Sequence, residues 1–220
     1  MDAALELARA SVLNGIKTAV LTPHLYPGRW DNFRSAAEPT FVLFKQALQD
    51  NAIALDVRLG AEVHLLPESL ALLDTSEIPF LGKWGGLSVM LLEFPDGQIP
   101  VGAMMAVKYC LKRGIVPLIA HPERNKEVMR NPKKILPFVH EGCLLQLTAA
   151  SVVGRFGAAA QETAMQLLEA GVVTVVATDS HNMAYRPPIL AEAKSTLANR
   201  FSVDLALRMV ELNPSTIVYG

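Results

Sequence analysis

Short apolar runs alternate with helical segments along the chain, and this alternation constrains the fold more than any other feature. The runs Leu87–Glu93, Ile115–Ala120 and 172–176 are rich in aliphatic or β-branched residues, and each is preceded by a glycine. Such short runs are typical of buried strands. The segments between them place apolar residues three and four positions apart, which indicates helices. Strand–helix–strand order implies parallel strands with helical crossovers, so the chain is predicted to be an α/β protein.

The ends of the predicted strands share a second feature, because nearly all of them carry a side chain that can bind a metal ion. These residues are His24 after run 16–21, Glu62 and His64 at the end of run 55–63, Glu93, His121, and Asp179 with His181 after run 172–176. Residues two apart on an extended strand point the same way, so Asp179 and His181 are expected side by side. In a βα barrel these ends converge on one face, whereas an open sheet would spread them along a line.

Taken singly, each of these residues could be a helix cap or a loop residue, but the whole set favours a metal site. A set of nitrogen and oxygen ligands without cysteine suits Mn, Fe or Zn in a multinuclear centre. The strand-end loops also contain Arg124, Arg155 and Arg186. Because a guanidinium matches the geometry of phosphate, the three arginines favour a phosphate substrate. Loop 25–34 is aromatic and basic, and it is interpreted either as a binding lip or as a surface turn.

Composition narrows the class of protein further. A net charge of −1 over 220 residues gives no indication of nucleic-acid binding, and no apolar run is long enough to span a membrane. Cys110 and Cys143 are too few for a disulfide framework and are predicted to be buried free thiols. With no secretion signal at Met1, we expect a cytoplasmic protein that folds as a single domain over residues 1–220.

Several segments resemble one known family when they are considered together and in order. The segments are Thr-Pro-His24, Gly-Ala-Glu62-Val, Leu-Leu-Glu93-Phe-Pro, Ile-Ala-His121-Pro-Glu-Arg124-Asn, Gln-Leu-Thr-Ala-Ala-Ser-Val-Val-Gly-Arg155-Phe-Gly, and Ala-Thr-Asp179-Ser-His181-Asn with Arg186-Pro-Pro. They resemble the PHP-type bacterial tyrosine-protein phosphatases of capsule and exopolysaccharide synthesis, the CpsB/CapC type. The resemblance covers nearly the whole chain.

That resemblance implies a distorted TIM-like (βα)7 PHP barrel with a multinuclear manganese site. The implied substrate is phosphotyrosine on a bacterial tyrosine autokinase, and water activated by the metal would attack phosphorus. The positions that match the family's ligands are His24, Glu62, Glu93, His121, Asp179 and His181. Arg124 and Arg155 match its phosphate-binding positions, with Arg186 in the same motif. His64 is outside the implied ligand set, and His140 is interpreted as structural.

The family opens with a strand bearing Asp-x-His-x-His, which this sequence does not contain. Residues 2–14 already have the pattern of the first helix, so the barrel is expected to lack its first strand. A misassigned start, a trimmed chain or a degenerate gene would each explain this difference. Two other functions stay open: a phosphoesterase for a small substrate of the histidinol phosphate type, and a catalytically impaired module that binds metal or kinase. The oligomeric state is undecided between a monomer and a homo-oligomer.

Overall fold

The computed structural model describes residues 1–220 and contains ten strands and eleven α-helices. The strands are β1 Thr18–Leu21, β2 His24–Tyr26, β3 Trp30–Asp31, β4 Asp56–Leu59, β5 Glu62–His64, β6 Gly82–Trp84, β7 Leu87–Glu93, β8 Ile115–Ala120, β9 Leu144–Thr148 and β10 Val175–Ala177. The α-helices are α1 Asp2–Leu13, α2 Arg34–Asp50, α3 Pro67–Ala71, α4 Ala103–Leu111, α5 Lys126–Arg130, α6 Leu136–Glu141, α7 Ala149–Val152, α8 Ala158–Glu169, α9 Ala191–Arg200, α10 Val203–Leu207 and α11 Asn213–Tyr219.

The larger sheet has the strand order β10-β9-β8-β7-β5-β2-β3, with β6 paired to β7 as a side branch. All pairs from β10 to β2 are parallel, and the two hairpin partners β3 and β6 are antiparallel. Strands β1 and β4 form a separate parallel pair. The predicted α/β class is therefore confirmed. The hydrogen-bonded order does not close on itself, since β10 pairs with β9 alone.

The run 55–63 was predicted as one strand but is interrupted at Gly60, and the run 16–21 is followed after Pro23 by a further short strand that the apolar pattern did not indicate. Strand β1 continues into β2 past Pro23, which has no N–H to donate to a neighbouring strand. Strand β4 continues into β5 past Gly60, where an added Cβ would lie 2.8 Å from a side-chain carbon of Val20. Hydrogen bonds from Gly60 N to Leu21 O and from Glu62 N to Pro23 O keep the two broken strands in register. The short second halves carry His24 and Glu62.

The central strands are buried on both faces, as continuous apolar runs predict. Along β7, Met90 and Leu92 face the main core, while Val89 and Leu91 face a second cluster on the other side of the sheet. Ile217 of α11 covers that second cluster. Burial on both faces makes these strands a rigid support for the side chains at their carboxyl ends.

Helix α11 also ties the two sheets together at the end away from those side chains. The Thr18 hydroxyl of β1 donates to the Tyr219 hydroxyl at 2.8 Å, and Tyr219 donates to Asp56 of β4 at 2.9 Å. The backbone of α11 lies so close to β6 that a Cβ added at Gly82 would meet the Ile217 carbonyl oxygen at 1.9 Å. Helix α11 begins at Asn213, and Pro214 lies in its first turn, where proline is well tolerated.

Two further boundaries differ from the sequence prediction. Loop 25–34 contains the β2–β3 hairpin and the first residue of α2. The run 172–176 forms a strand only from Val175, and that strand ends at Ala177. No helix of the protein combines the length and the apolar content needed to cross a membrane.

Cys110 and Cys143 are buried and unpaired, as predicted. Burial raises the pKa of Cys110 to about 11 and that of Cys143 to about 12. Because the thiolate is the reactive form, we expect neither thiol to react with an aromatic disulfide reagent at pH 8 in the native protein. Both should react after denaturation in guanidinium. Release of one equivalent of chromophore from the native protein would contradict the described packing.

Candidate metal and phosphate site

Two carboxylates and two imidazoles from four different strand ends form a compact cluster. His24 Nδ1 lies 3.1 Å from Glu62 Oε2 and 3.6 Å from Glu93 Oε2. His121 Nε2 lies 3.0 Å from Glu62 Oε1 and 3.6 Å from Glu93 Oε1. Each carboxylate therefore turns one oxygen to each imidazole. This arrangement is typical of carboxylates that bridge two closely spaced ions.

The environment of His24 shows that these side chains are suited to binding a metal ion. His24 Nδ1 is buried but makes no well-directed hydrogen bond, although Glu62 Oε2 is within 3.1 Å. A buried nitrogen that approaches carboxylates without a directed bond is suited to an ion between them. One ligand atom from each of His24, Glu62 and Glu93 lies within 4.8 Å of the other two. Oxygen and imidazole ligands of this kind suit Mn, Fe or Zn.

The cluster strongly perturbs the pKa values of its members. The contacts with Glu62 and then Glu93 raise the pKa of His24 to about 10. Burial alone would raise the pKa of Glu62, but the contacts with His121 and His24 outweigh it and lower this pKa to about 2. Glu93 behaves in the same way, with His24 and His64 holding its pKa below the ordinary range. Without a metal ion, the carboxylates are thus ionised and His24 carries a proton at neutral pH.

The backbone adopts unusual conformations at the two outer members of the site. His121 has φ 33° and Asp179 has φ 49°, both in the left-handed region that side chains other than glycine rarely adopt. At His121 the turn is held by Glu123, which is fully buried and accepts a hydrogen bond from Thr148 N of β9 at 2.9 Å. Asn125 then caps α5 by accepting bonds from the first amides of that helix. Strained residues of this kind concentrate at functional sites.

Asp179 and His181 lie next to each other, but not for the predicted reason. The strand ends before Asp179, whose left-handed backbone turns the chain so that His181 Nδ1 lies 3.0 Å from the Asp179 carbonyl oxygen. The His181 ring centroid is 5.9 Å from that of His24. These two residues therefore lie beside the four-residue cluster, and Asp179 points to arginines instead.

The approach of His24 and His181 also reveals the shape of the sheet. His24 belongs to β2 and His181 follows β10, and five strand spacings separate these strands in the sheet. A flat sheet would hold them about 24 Å apart. A separation of 5.9 Å between the rings indicates that the sheet curls, so that the ends of its strands gather around one site.

Two of the three predicted phosphate-binding arginines converge beside the cluster. Arg124 Nη1 donates to Asp179 Oδ2 at 2.6 Å, and Arg186 Nη2 donates to the same oxygen. The Nε of Arg186 is buried without an acceptor, so it has a donor free for an anion. Arg155 is not brought to this group, because it is half-exposed and pairs with Glu192 at 2.7 Å.

The site lies in a cavity of about 320 Å³ that is lined by three residues of the cluster, His24, Glu93 and His121, and by Arg124 and Arg186. It also includes Tyr26, Arg29, Trp30 and His64, which the predicted site omits. His64 Nδ1 lies 3.1 Å from Glu93 Oε2, and its position two residues after Glu62 on the same strand was the sequence signal for this contact. The loop of Arg155 contributes its neighbour Phe156, whose ring centroid is 4.8 Å from the Arg124 guanidinium.

Fold and site together define an α/β protein with a carboxylate–imidazole metal site and an adjacent pair of arginines at the strand ends. A family model described as capsular polysaccharide synthesis, CpsB/CapC, matches residues 1–219. The chain therefore belongs to the CpsB/CapC family, and the resemblance found in its sequence is confirmed.

Individual relatives agree with this assignment. The chain is 31% identical over 207 residues to the tyrosine-protein phosphatase YwqE of Bacillus subtilis, covering 94% of this chain and 80% of the relative. It is 27% identical to the tyrosine-protein phosphatase CpsB of Streptococcus pneumoniae, covering 96% and 88%. A chain from the crystal structures of these two proteins, described as unique metal-dependent tyrosine phosphatases, superposes with a TM-score of 0.91 at 29% identity, covering 99% of this chain and 86% of that chain.

Metal uptake should release protons and strengthen with pH. His24 has a pKa of about 10 in the metal-free protein, so at pH 7 an ion must displace its proton. We expect at least one proton released per protein at pH 7, and an affinity that rises about ten-fold per pH unit for each proton displaced. Calorimetric titration with Mn²⁺ in buffers of different ionisation enthalpy measures this number. The variant His24→Asn should release one proton fewer, and release of none by the parent would contradict the assignment.

Replacing Glu62 should weaken the metal site without unfolding the protein. Glu62→Gln keeps the size of the side chain but removes a charge that faces both His24 and His121. We expect Mn²⁺ affinity to fall by more than about ten-fold, measured by elemental analysis after dialysis against graded free metal. Glu169→Gln is the matched control, since Glu169 forms an exposed pair with Arg200. Equal metal content in both variants would refute a role for Glu62 as a ligand.

Proposed function

We propose that this protein is a metal-dependent phosphatase that removes phosphate from phosphotyrosine in proteins of capsule or exopolysaccharide synthesis. The observation that carries the proposal is the pair of guanidiniums converging on Asp179 next to carboxylates shared by two imidazoles. Its relatives carry the name tyrosine-protein phosphatase. By this relationship, the substrate is a bacterial tyrosine autokinase and the protein acts in the cytoplasm.

We propose His24, Glu62, Glu93 and His121 as the principal metal ligands, with Asp179 and His181 completing the site. Manganese is the proposed ion. When bound, such ions lower the pKa of water and offset the charge of the phosphoryl group. The ligand strands fix their own side chains, because β7 and β8 are buried on both faces. The site is thereby organised before substrate arrives, which is the condition for electrostatic stabilisation of a transition state.

The arginines are proposed to bind the phosphoryl oxygens. Arg124 and Arg186 each use one N–H on Asp179, and the free Nε of Arg186 is available for the substrate. Asp179 thus orients two cations toward one point, and Phe156 supports the Arg124 plane. Arg155 is proposed to reach phosphate by exchanging its exposed partner Glu192 for the anion. Because the hydroxyl of free tyrosine has a pKa of about 10, the phenolate can leave without a strong general acid.

The curled sheet is proposed to be a distorted TIM-like (βα)7 barrel of the PHP type in which one strand position is open. The support is that β10 lacks a second partner although His181 and His24 approach to 5.9 Å. An N-terminal extension bearing Asp-x-His-x-His, fused ahead of α1, should raise both metal content and turnover if this gap is a strand position.

Removing one guanidinium should reduce catalysis far more than metal binding. Arg124→Ala is expected to lower kcat/KM for phosphotyrosine by about 10²-fold or more in the presence of Mn²⁺, because it removes a donor from the phosphoryl oxygens. Chelation of the metal should abolish turnover of the parent. Arg200→Ala is the matched control, since its guanidinium pairs with Glu169 at the surface.

The same assay separates the competing functions. Faster turnover of histidinol phosphate than of phosphotyrosine would identify a phosphoesterase for small substrates. A parent protein that retains Mn²⁺ and hydrolyses neither compound would be a binding module and not an enzyme. Either result would overturn the proposed function.

A further inference from the structure

The β2–β3 hairpin projects from the metal site and holds two aromatic rings at the cavity. Its first residue is His24, and its turn is formed by Pro27, Gly28 and Arg29, with Gly28 at φ 81°. Gly28 N donates to Asp31 Oδ1 at 2.7 Å, which closes the turn, and Asn32 Nδ2 donates to the His24 carbonyl oxygen at 2.8 Å. The hairpin is therefore tied to the strand that supplies a proposed ligand.

Each of the two aromatic rings is stacked on an imidazole of the site. Trp30 stacks on His24 with a centroid separation of 5.2 Å and an interplanar angle of 26°. Tyr26 stacks on His64 at 4.6 Å and 8°. The two aromatic rings meet edge to face at 6.0 Å and 81°, so they form a corner at the wall of the cavity. We call Tyr26 and Trp30 the aromatic corner.

A planar group already lies against this corner. The Arg29 guanidinium is 4.2 Å from the Trp30 centroid and 5.7 Å from the Tyr26 centroid. Arg29 is exposed and forms no ion pair with a carboxylate. Trp30 retains 42% exposure, which is high for a large ring beside a cavity. The corner thus accepts a flat group, and its present occupant is an exposed side chain that forms no ion pair.

We propose that the aromatic corner binds the aryl ring of a phosphomonoester substrate, so that Tyr26 and Trp30 select aryl over alkyl phosphates. This inference rests on the proposed phosphatase function and adds the residues that determine its specificity. Arg124 and Arg186 line the same cavity as Tyr26 and Trp30, so the ester group of a phosphate bound to the arginines shares its space with the corner. The aryl ring takes the place of the Arg29 guanidinium, because aromatic pairs add stacking energy that an alkyl chain does not provide.

The test compares an aryl with an alkyl substrate in the full chain at saturating Mn²⁺. Trp30→Leu is expected to raise KM for phenyl phosphate about five-fold or more while changing KM for glycerol phosphate by less than about two-fold. Trp30→Phe, which restores a ring, should recover most of the preference. An equal loss on both substrates would mean that Trp30 only supports His24, and it would overturn the inference.

Two further variants separate ring recognition from charge and from general damage. Arg29→Ala should preserve the ratio of KM between the two substrates, whereas loss of the aryl preference in this variant would show that the cation and not the rings selects the aryl group and would overturn the inference. Trp84→Leu is the tryptophan control, because Trp84 pairs with Leu87 at the end of β7 opposite to Glu93. It should leave the ratio between the two substrates unchanged.

Binding measurements keep the inference testable if the chain hydrolyses neither substrate. In Trp84→Phe, Trp30 is the sole tryptophan, and its fluorescence reports on the corner directly. Phenylphosphonate should bind about five-fold tighter than methylphosphonate and quench this signal. Equal affinity for the two phosphonates would overturn the ring site. Absent turnover with preserved phenyl preference would instead refute the proposed catalysis alone.

Discussion

The two carboxylates of Glu62 and Glu93, each shared between His24 and His121, are the interaction on which the site depends. Ionised groups this well buried are unfavourable unless opposite charge compensates them. Here the compensation comes from imidazoles on two other strand ends, at 3.0–3.6 Å. Strands β2, β5, β7 and the turn after β8 must therefore hold their ends in a narrow range of positions. The breaks at Pro23 and Gly60 help, since they let the short second halves of two strands join the large sheet.

Much of this arrangement could be predicted from the sequence, and the reasons differ by element. Strands β7 and β8 are continuous apolar runs preceded by glycine, so their ends, and with them Glu93 and His121, were predictable. The conformation of Asp179 was not, because a left-handed residue leaves no periodic signal in a run of valines. The partner of Arg155 was not predictable either, since Glu192 lies 37 residues further along the chain.

The aromatic and basic loop shows where a local pattern stops being informative. A run containing Tyr26, Arg29 and Trp30 is equally compatible with a surface turn and a binding lip, and the sequence left both open. The difference lies in what the rings stack on, and the partners His24 and His64 are set by strand pairing. The amino-acid composition of the loop does not show which residues of neighbouring strands its rings will contact. Thus residues of the long apolar strands were easier to assign than residues of this short hairpin.

Helix α11 fastens the amino ends of the strands while their carboxyl ends carry the chemistry. Thr18, Tyr219 and Asp56 join the small sheet to the last helix, and the tight approach at Gly82 joins that helix to the β6–β7 hairpin. The amino ends of the strands are therefore held together by helix α11, whereas no helix joins their carboxyl ends in this way. Substitutions at the carboxyl ends can change which phosphate ester binds. Substitutions at the amino ends are poorly tolerated, because the backbone of α11 contacts the backbone of β6 there. Homologues should consequently differ more at the carboxyl ends of the strands than at the amino ends. A comparison of substitution rates at the two ends would therefore locate the residues that determine specificity without any assay.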